Sequence, residues 1–209
     1  MTRELVVVGA GGFGREALDV AEAAIAAGAT FRTRGVVDSN PSELAVNRLA
    51  ARGVELLGTE WRQHLDAEFI IGIGNPDIRS RIAAQIAAAG GRFATIVHPA
   101  STIGSSASVG AGVVVCAGVA VSTNVVLEDH VHLNPNATVG HDAVLSRWVS
   151  VNPGAIVSGE VRVGEGALIG AGAVVLQGLS VGEHATVGAM ACVIRDVPPG
   201  TIVKGVPAR

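Results

Sequence analysis

The sequence of 209 residues predicts a small parallel α/β domain followed by a parallel β-helix. Three observations support this. Short apolar strands alternate with helical segments over residues 1–96, a glycine-rich turn follows the first strand, and an aliphatic residue recurs at every sixth position from Val97 to Val193. Alternating strands and helices indicate a parallel sheet, and a fixed short period indicates a solenoid. We therefore predict an N-terminal domain over 1–96 and a β-helix with its C-terminal tail over 97–209.

The N-terminal elements follow from short apolar runs and the residues that interrupt them. The predicted elements are a strand over 4–8, a turn over 9–14, a helix over 15–27, a strand over 33–37, a strand over 68–73, a turn over 74–77 and a helix over 78–89. The segment between Pro41 and Leu65 shows no assignable pattern.

The turn over residues 9–14 reads G-x-G-x-x-G, and Asp38 follows it by 24 residues at the end of the next strand. Such a turn lets backbone N–H groups and a helix N-terminus approach a phosphate, and an acidic residue at the next strand end can bind ribose hydroxyls. We predict that Gly11, Gly12, Phe13 and Asp38 contact a substrate that carries a nucleotide. Alternatively, the glycines only make a tight turn between strand and helix.

The β-helix is predicted by an unbroken series of Val, Leu and Ile at six-residue spacing. The series comprises Val97, Ile103, Val109, Val115, Val121, Leu127, Leu133, Val139, Leu145, Val151, Val157, Val163, Ile169, Val175, Val181, Val187 and Val193. We expect stacked short strands with aliphatic ladders inside, and glycines with positive φ at the corners. A hydrophobic content of 49% with only 3% aromatic residues suits an interior too narrow for rings.

Composition argues against several classes of function. A net charge of −3 gives no electrostatic footprint for nucleic acid or an anionic membrane. The sequence shows neither a membrane-spanning run nor a signal segment, so we expect a cytoplasmic protein. Cys116 and Cys192 stand apart, which indicates buried packing thiols rather than a disulfide framework or a zinc motif.

Several motifs together resemble one family. They are Val8-Gly9-Ala10-Gly11-Gly12-Phe13-Gly14-Arg15-Glu16, Gly72-Ile73-Gly74-Asn75, the junction Val97-His98-Pro99, the hexapeptide repeats, and the closing Gly205-Val206-Pro207-Ala208-Arg209. This combination resembles the sialic acid O-acetyltransferase type of sugar acyltransferases, within the hexapeptide-repeat superfamily. The resemblance covers nearly the whole chain.

The resemblance implies a Rossmann-like N-terminal half-domain and a left-handed β-helix with 18 residues per coil, hence between five and six coils here. It further implies a homotrimer with active sites between subunits, and acetyl-CoA as a co-substrate. The implied acceptor is a sugar, often the amine of a nucleotide-linked 4-amino-sugar. The acceptor atom could be nitrogen or oxygen, and the donor acetyl or a longer acyl-CoA.

The resemblance is most specific over residues 134–142, which read Asn-Pro-Asn-Ala-Thr-Val-Gly-His-Asp. It implies that His141 is the general base, that Asp142 is its partner and that Asn134 belongs to the substrate site. An imidazole titrates near neutrality and suits this role. Adjacent side chains on a flat strand point to opposite faces, so the pair must lie at a corner of the coil. Alternatively, His141 is an ordinary solvated histidine.

The co-substrate site is also implied by the resemblance. Gly159 lies 18 residues after His141, and its backbone N–H is expected to hold the thioester carbonyl oxygen. Ala171 and Ala189 are expected to line the groove for pantetheine, and Lys204 to reach the CoA phosphates. No metal is expected, because the histidine spacings do not provide the three ligands that zinc-dependent β-helix enzymes need.

The chain departs from the family pattern at three positions. Phe13 stands where many members have His, Ser150 where a second His is common, and Val206 where Asn is frequent. His132 precedes Ser150 by one coil, and we expect it to occupy the same region. Two other functions remain possible from the sequence: a non-catalytic scaffold that binds nucleotide sugars, and an oxidoreductase, which the short N-terminal domain disfavours.

Overall fold

The computed structural model describes residues 2–209, which divide into two compact units, one ending at Val97 and one spanning His98–Arg209. Met1, the first residue of the predicted N-terminal domain, lies outside the described residues. The fold class predicted from the sequence is confirmed: a Rossmann-like α/β unit precedes a left-handed parallel β-helix of about six turns.

The N-terminal unit is built on a four-stranded parallel sheet with strand order β2-β1-β3-β4. Its elements are β1 (Arg3–Val8), α1 (Gly12–Ala26), β2 (Phe31–Val37), α2 (Glu43–Ala51), a 3-10 turn (Trp61–His64), β3 (Glu68–Ile71), α3 (Pro76–Ala88), β4 (Arg92–Phe93) and β5 (Ile96–Val97). The central strand β1 is buried over its last four residues. Its apolar run therefore forms the core of the sheet.

Two helices begin earlier than predicted. α1 begins at Gly12 rather than at residue 15, so part of the glycine turn is already helical. α3 begins at Pro76 rather than at residue 78, because the Asn75 side chain accepts a hydrogen bond from the Ile78 N–H at 3.0 Å. Proline suits the first helical position, since that residue needs no N–H donor.

The segment without a sequence pattern contains regular structure. It holds α2, whose N-terminus is capped by the Ser42 hydroxyl accepting from the Ala45 N–H at 3.2 Å, and the 3-10 turn at Trp61. The third strand was predicted too long, since β3 ends at Ile71 rather than at residue 73. Residues 72–74 instead form a loop beside the glycine turn.

In the second unit every strand is a pair of residues. The strands from β6 to β21 each end at an aliphatic position of the repeat, and β22 lies beyond the last of these positions. The strands are β6 (Thr102–Ile103), β7 (Ser108–Val109), β8 (Val114–Val115), β9 (Ala120–Val121), β10 (Val126–Leu127), β11 (His132–Leu133), β12 (Thr138–Val139), β13 (Val144–Leu145), β14 (Ser150–Val151), β15 (Ile156–Val157), β16 (Arg162–Val163), β17 (Leu168–Ile169), β18 (Val174–Val175), β19 (Ser180–Val181), β20 (Thr186–Val187), β21 (Cys192–Val193) and β22 (Ile202–Val203).

These strands form three parallel sheets in which each residue pairs with the residue 18 positions later, except between β20 and β22, where the spacing is 16. Sheet one runs β6-β9-β12-β15-β18-β21, sheet two β7-β10-β13-β16-β19, and sheet three includes β8-β11-β14-β17-β20-β22. The aliphatic positions from Val115 to Val193 are buried, as predicted, whereas Ile103 at the start of the stack is 37% exposed.

The predicted glycines with positive φ at the corners are confirmed at positions such as Gly112, whereas the glycines directly after the aliphatic positions have a different role. Gly104 and Gly164 lack a positive φ, and a Cβ on either would lie 2.6 Å from backbone atoms of the next coil. They are glycines because neighbouring coils approach closely. Positive φ occurs two residues later, at glycines such as Gly112 but also at Asn124 and Asp142.

Cys116 is a buried free thiol, as predicted, whereas Cys192 is a free thiol that is only partly buried. The strand pair of β21 explains the difference: the interior position belongs to Val193, and Cys192 is the other member of the pair. Across residues 2–209, no helix has the length and apolar character to cross a membrane.

Candidate active site

The N-terminal unit contains a cavity of about 470 Å³ at the end of β1. The cavity brings together all four residues predicted to contact a nucleotide, together with two loops from elsewhere in the unit. Its walls include Gly11, Gly12, Phe13, Asp38, residues 59–62 and residues 72–74. A concave site of this volume that combines apolar and polar side chains is typical of small-molecule binding.

The glycine turn is shaped by close contact between backbones. Gly9 has φ of +107°, and a Cβ on Gly14 would collide with the Gly9 carbonyl oxygen. Gly11 is the N-cap of α1 and has no side chain that could cap the helix. This start of a helix can bind an anion such as a phosphate.

Asp38 ties the glycine turn to the end of β2. One carboxylate oxygen, Oδ2, accepts a hydrogen bond from the Ala10 N–H at 2.7 Å, and Oδ1 accepts from the Asn40 N–H at 2.9 Å. A carboxylate oxygen can accept more than one hydrogen bond. Asp38 can therefore hold the turn in place and still accept from a ligand hydroxyl.

Two residues that shape the cavity were missed in the sequence. Trp61 lines it, packs edge-on against Phe69 with ring centroids 6.4 Å apart, and carries the Arg62 guanidinium 4.4 Å above its ring. Arg79 is buried and donates to the carbonyl oxygens of Ile73 at 2.9 Å and Gly74 at 3.0 Å, while burial lowers the pKa of its guanidinium. Trp61 belongs to the 59–62 loop of the cavity wall, and Arg79 holds the 72–74 loop.

His141 and Asp142 lie at the corner that follows β12. Asp142 has φ of +60°, and its Oδ2 lies 2.8 Å from His141 Nδ1. The corner position required for this pairing is therefore present. The side chains are 48% and 49% exposed, so a substrate can reach them.

The pairing determines which imidazole nitrogen can accept a proton. The hydrogen bonds from His141 and then from Asn124 hold the pKa of Asp142 below its ordinary value. Because an ionised carboxylate only accepts hydrogen bonds, Nδ1 must be the donor, and the neutral ring then has its lone pair on Nε2. His141 can act as a base through Nε2.

Gly159 lies directly against that nitrogen. A Cβ on Gly159 would be 2.6 Å from His141 Nε2 and 2.8 Å from Cε1. The coil is held in this register by hydrogen bonds from the Glu160 N–H to the His141 carbonyl at 2.8 Å and from the Gly178 N–H to the Gly159 carbonyl at 2.9 Å. The missing side chain leaves space beside the base for a reacting group.

The other residues assigned to co-substrate binding lie at a different corner of the coil. Ala171 and Ala189 follow β17 and β20 and are exposed, before the chain enters sheet one, whereas His141 follows a strand of sheet one. Lys204 follows β22, and its Cβ would lie 3.1 Å from a Cβ on Gly188. Ala171, Ala189 and Lys204 thus share one corner, and a single chain does not bring them to His141.

Asn134 is largely buried, and its amide takes part in coil stacking. Its Nδ2 donates to the Val151 carbonyl at 3.1 Å and lies 3.4 Å from Asn152 Oδ1. The expectation that His132 lies next to Ser150 is confirmed, since the two are register partners and both are buried. Within the part of the chain that the structure describes, no group of three or more His, Cys, Asp or Glu residues could hold a metal ion.

The family model for the PglD N-terminal domain matches residues 4–86. No curated protein sequence matches the chain.

Solved structures match over the whole chain. The acetyltransferase domain of PglB from Neisseria gonorrhoeae is 33% identical with a TM-score of 0.86, and the match covers 99% of this chain and 98% of that one. PerB from Caulobacter crescentus, in complex with CoA and GDP-perosamine, is 28% identical with a TM-score of 0.88 over 100% and 97% of the two chains. WeeI from Acinetobacter baumannii is 25% identical with a TM-score of 0.87 over 100% and 99%.

The matches agree with the family that the motifs resemble. They include proteins described as acetyltransferases, one of them with acetyl coenzyme A bound. The chain therefore belongs to the family of hexapeptide-repeat sugar acetyltransferases with a PglD-type N-terminal domain.

Proposed function

We propose that this protein transfers an acetyl group from acetyl-CoA to an amine of a nucleotide-linked sugar. The observation that carries the proposal is the corner in which Asp142 holds His141 Nδ1 and leaves Nε2 facing Gly159. Two relatives support the substrates: a PglB domain was solved with acetyl coenzyme A, and PerB with CoA and GDP-perosamine. A hydroxyl is the alternative acceptor.

His141, Asp142 and Gly159 have separate roles in the proposed reaction. His141 Nε2 accepts the proton of the attacking amine, and Asp142 stabilises the imidazolium that forms. The Gly159 N–H donates to the thioester carbonyl oxygen as negative charge develops on it. The amine nitrogen forms the new bond to the acetyl carbon, the bond to sulfur breaks, and His141 returns the proton to the leaving CoA thiolate.

The nucleotide is assigned to the cavity of the N-terminal unit. The start of α1 at Gly12 suits the diphosphate, and Asp38 suits the ribose hydroxyls. Phe13 adds an apolar side chain to this wall. Asn134 is assigned to the acceptor site, although its amide nitrogen is used within the coil.

We place the active site between subunits of a homotrimer. Ala171, Ala189 and Lys204 form one corner and His141 lies at another, so a CoA groove that contains both needs a second chain. In this arrangement Lys204 pairs with CoA phosphates next to the His141 of a neighbour. We place the activity in the cytoplasm, where acetyl-CoA and nucleotide sugars are available.

The test is release of free CoA thiol from acetyl-CoA with UDP-, dTDP- and GDP-linked 4-amino-sugars and free sialic acid. We expect release with one acceptor class, and a fall in kcat of about 10²–10⁴ in His141→Ala with unchanged CoA binding. His184→Asn is the matched control, because His184 also lies at an exposed corner with positive φ, +54°.

The outcomes separate the possible functions. A His141→Ala protein that keeps more than a tenth of the wild-type kcat contradicts the base role. A wild-type protein that binds CoA but releases no thiol with any acceptor contradicts the acetyltransferase proposal for these sugars, and one that binds no CoA favours the non-catalytic scaffold.

A further inference from the structure

We propose that Asn124 is a positioning residue for proton transfer at His141 and acts through Asp142. The inference rests on the proposed function, in which His141 Nε2 is the base. Asn124 lies one coil before Asp142, and its Nδ2 donates to Asp142 Oδ1 at 3.1 Å. Asp142 Oδ2 receives the hydrogen bond from His141 Nδ1 at 2.8 Å. Each oxygen of the carboxylate is thus held by a different donor.

The coil repeat holds both acceptor and donor in place. Asn124 and Asp142 occupy equivalent corners, with φ of +57° and +60°. Their N–H groups donate to the carbonyls of Ser105 and Thr123 in the preceding coils, both at 3.1 Å. Asn and Asp tolerate this left-handed backbone better than most residues. The backbone therefore directs the Asn124 amide towards Asp142.

The residue on the other side of Asp142 provides no donor. Glu160 occupies the equivalent corner of the next coil, and its Oε1 accepts a hydrogen bond from Gln177 Nε2 at 3.3 Å. Asn124 is therefore the residue of a neighbouring coil whose side chain donates to Asp142.

The arrangement has a consequence for the base. The imidazole is half exposed and could rotate or exchange its tautomer. An Asp142 carboxylate that is fixed by Asn124 keeps the proton on Nδ1 and the lone pair on Nε2, next to Gly159. Without Asn124, the carboxylate can turn away, and a ring protonated on Nε2 cannot accept the proton of the amine.

Asn124→Asp tests the inference with little change in shape. The substitution keeps the tolerance for positive φ but replaces the donor with an acceptor. We expect kcat to fall about 10-fold, as for other residues that orient a reacting group, with KM values within about twofold of wild type. Asn136→Asp is the matched control, because Asn136 also lies at a corner with φ of +61°, and we expect its kcat to stay within about twofold.

A double-mutant cycle distinguishes positioning from general support of the coil. If Asn124 acts through Asp142, Asn124→Asp has no further effect on kcat in an Asp142→Asn background. If the two reductions multiply, Asn124 acts by another route and the inference is overturned. Should Asn124→Asp fail to fold, Asn124→Gly removes the amide and still allows the positive φ at position 124.

A measurement without substrates tests the role of Asn124 independently of the proposed function. Nitrogen-15 NMR of labelled histidine, with the His141 signals identified by their loss in His141→Ala, should show the Nδ1–H tautomer in the wild type. Asn124→Asp should show a mixture of tautomers. An unchanged tautomer overturns the inference, whether or not the wild type releases thiol from acetyl-CoA.

Discussion

Replacing Gly159 with alanine tests the space beside the His141 base. The added Cβ would lie 2.6 Å from His141 Nε2 and 2.8 Å from Cε1. Gly159 has no positive φ, so its backbone accepts alanine without strain. The substitution also keeps the Gly159 N–H that is assigned to the thioester oxygen. A loss of activity then comes from displacement of the imidazole or from filling of the space beside it.

The size of the effect follows from this distance. Ordinary contacts between such atoms begin at about 3.5 Å, so the ring must move by nearly 1 Å. A displacement of about 1 Å at a reacting group can lower kcat about 100-fold. A side chain forced off its rotamer costs about 1 kcal/mol, which lowers Tm by about 3 °C for a chain of this size. We therefore expect a folded protein with a large defect in turnover.

The assay is thiol release together with thermal unfolding. We expect Gly159→Ala to lose about 100-fold in kcat and to keep its KM values. In a His141→Ala background the same substitution meets no imidazole, and it should not lower Tm further. A Gly159→Ala protein that turns over within threefold of wild type would refute the reasoning, as would an equal loss of Tm in both backgrounds.

Two further predictions concern assembly and pH. Mixing His141→Ala and Lys204→Glu subunits should restore about a quarter of the wild-type activity, because each mixed trimer has one interface with both residues intact; no recovery would contradict sites between subunits. The hydrogen bonds from His141 and Asn124 lower the pKa of Asp142 in the folded protein. The ionised Asp142 carboxylate therefore stabilises the folded protein above the ordinary carboxyl pKa, about 3.9, and this stabilisation is lost as the pH falls through the lower folded-state pKa. The Tm advantage of wild type over Asp142→Asn should therefore shrink in acid, and an advantage that grows in acid would contradict this.

The repeat was predictable from the sequence, because each coil buries aliphatic residues at the same six-residue spacing. Every strand from β6 to β21 ends at an aliphatic position in the sequence series, and Asp38 lies in the same cavity as the glycine turn. These features depend on short-range patterns of apolar residues and glycines. The motif over residues 134–142 likewise identified the corner that contains His141.

The elements that were missed depend on contacts between distant parts of the chain. Trp61 and Arg79 shape the cavity wall, but the segment around Trp61 has no hydrophobic period, and Arg79 is an unusual buried cation in a helix. The role of the glycines directly after the aliphatic positions was likewise not predicted. Their need for glycine comes from the backbone of the next coil, 18 residues away, rather than from their own φ.

The amino-acid sequence by itself determined the two-domain class and the spacing of the coils, since these follow from periodicity, and it singled out His141 and Asp142 through the resemblance of residues 134–142 to the family motif. Only the tertiary structure decided how that pair is oriented. Asp142 faces Nδ1 because its backbone is left-handed at φ of +60° and its N–H is bonded to the Thr123 carbonyl. Both conditions depend on stacking against the preceding coil, and so does the Asn124 amide that holds the other carboxylate oxygen.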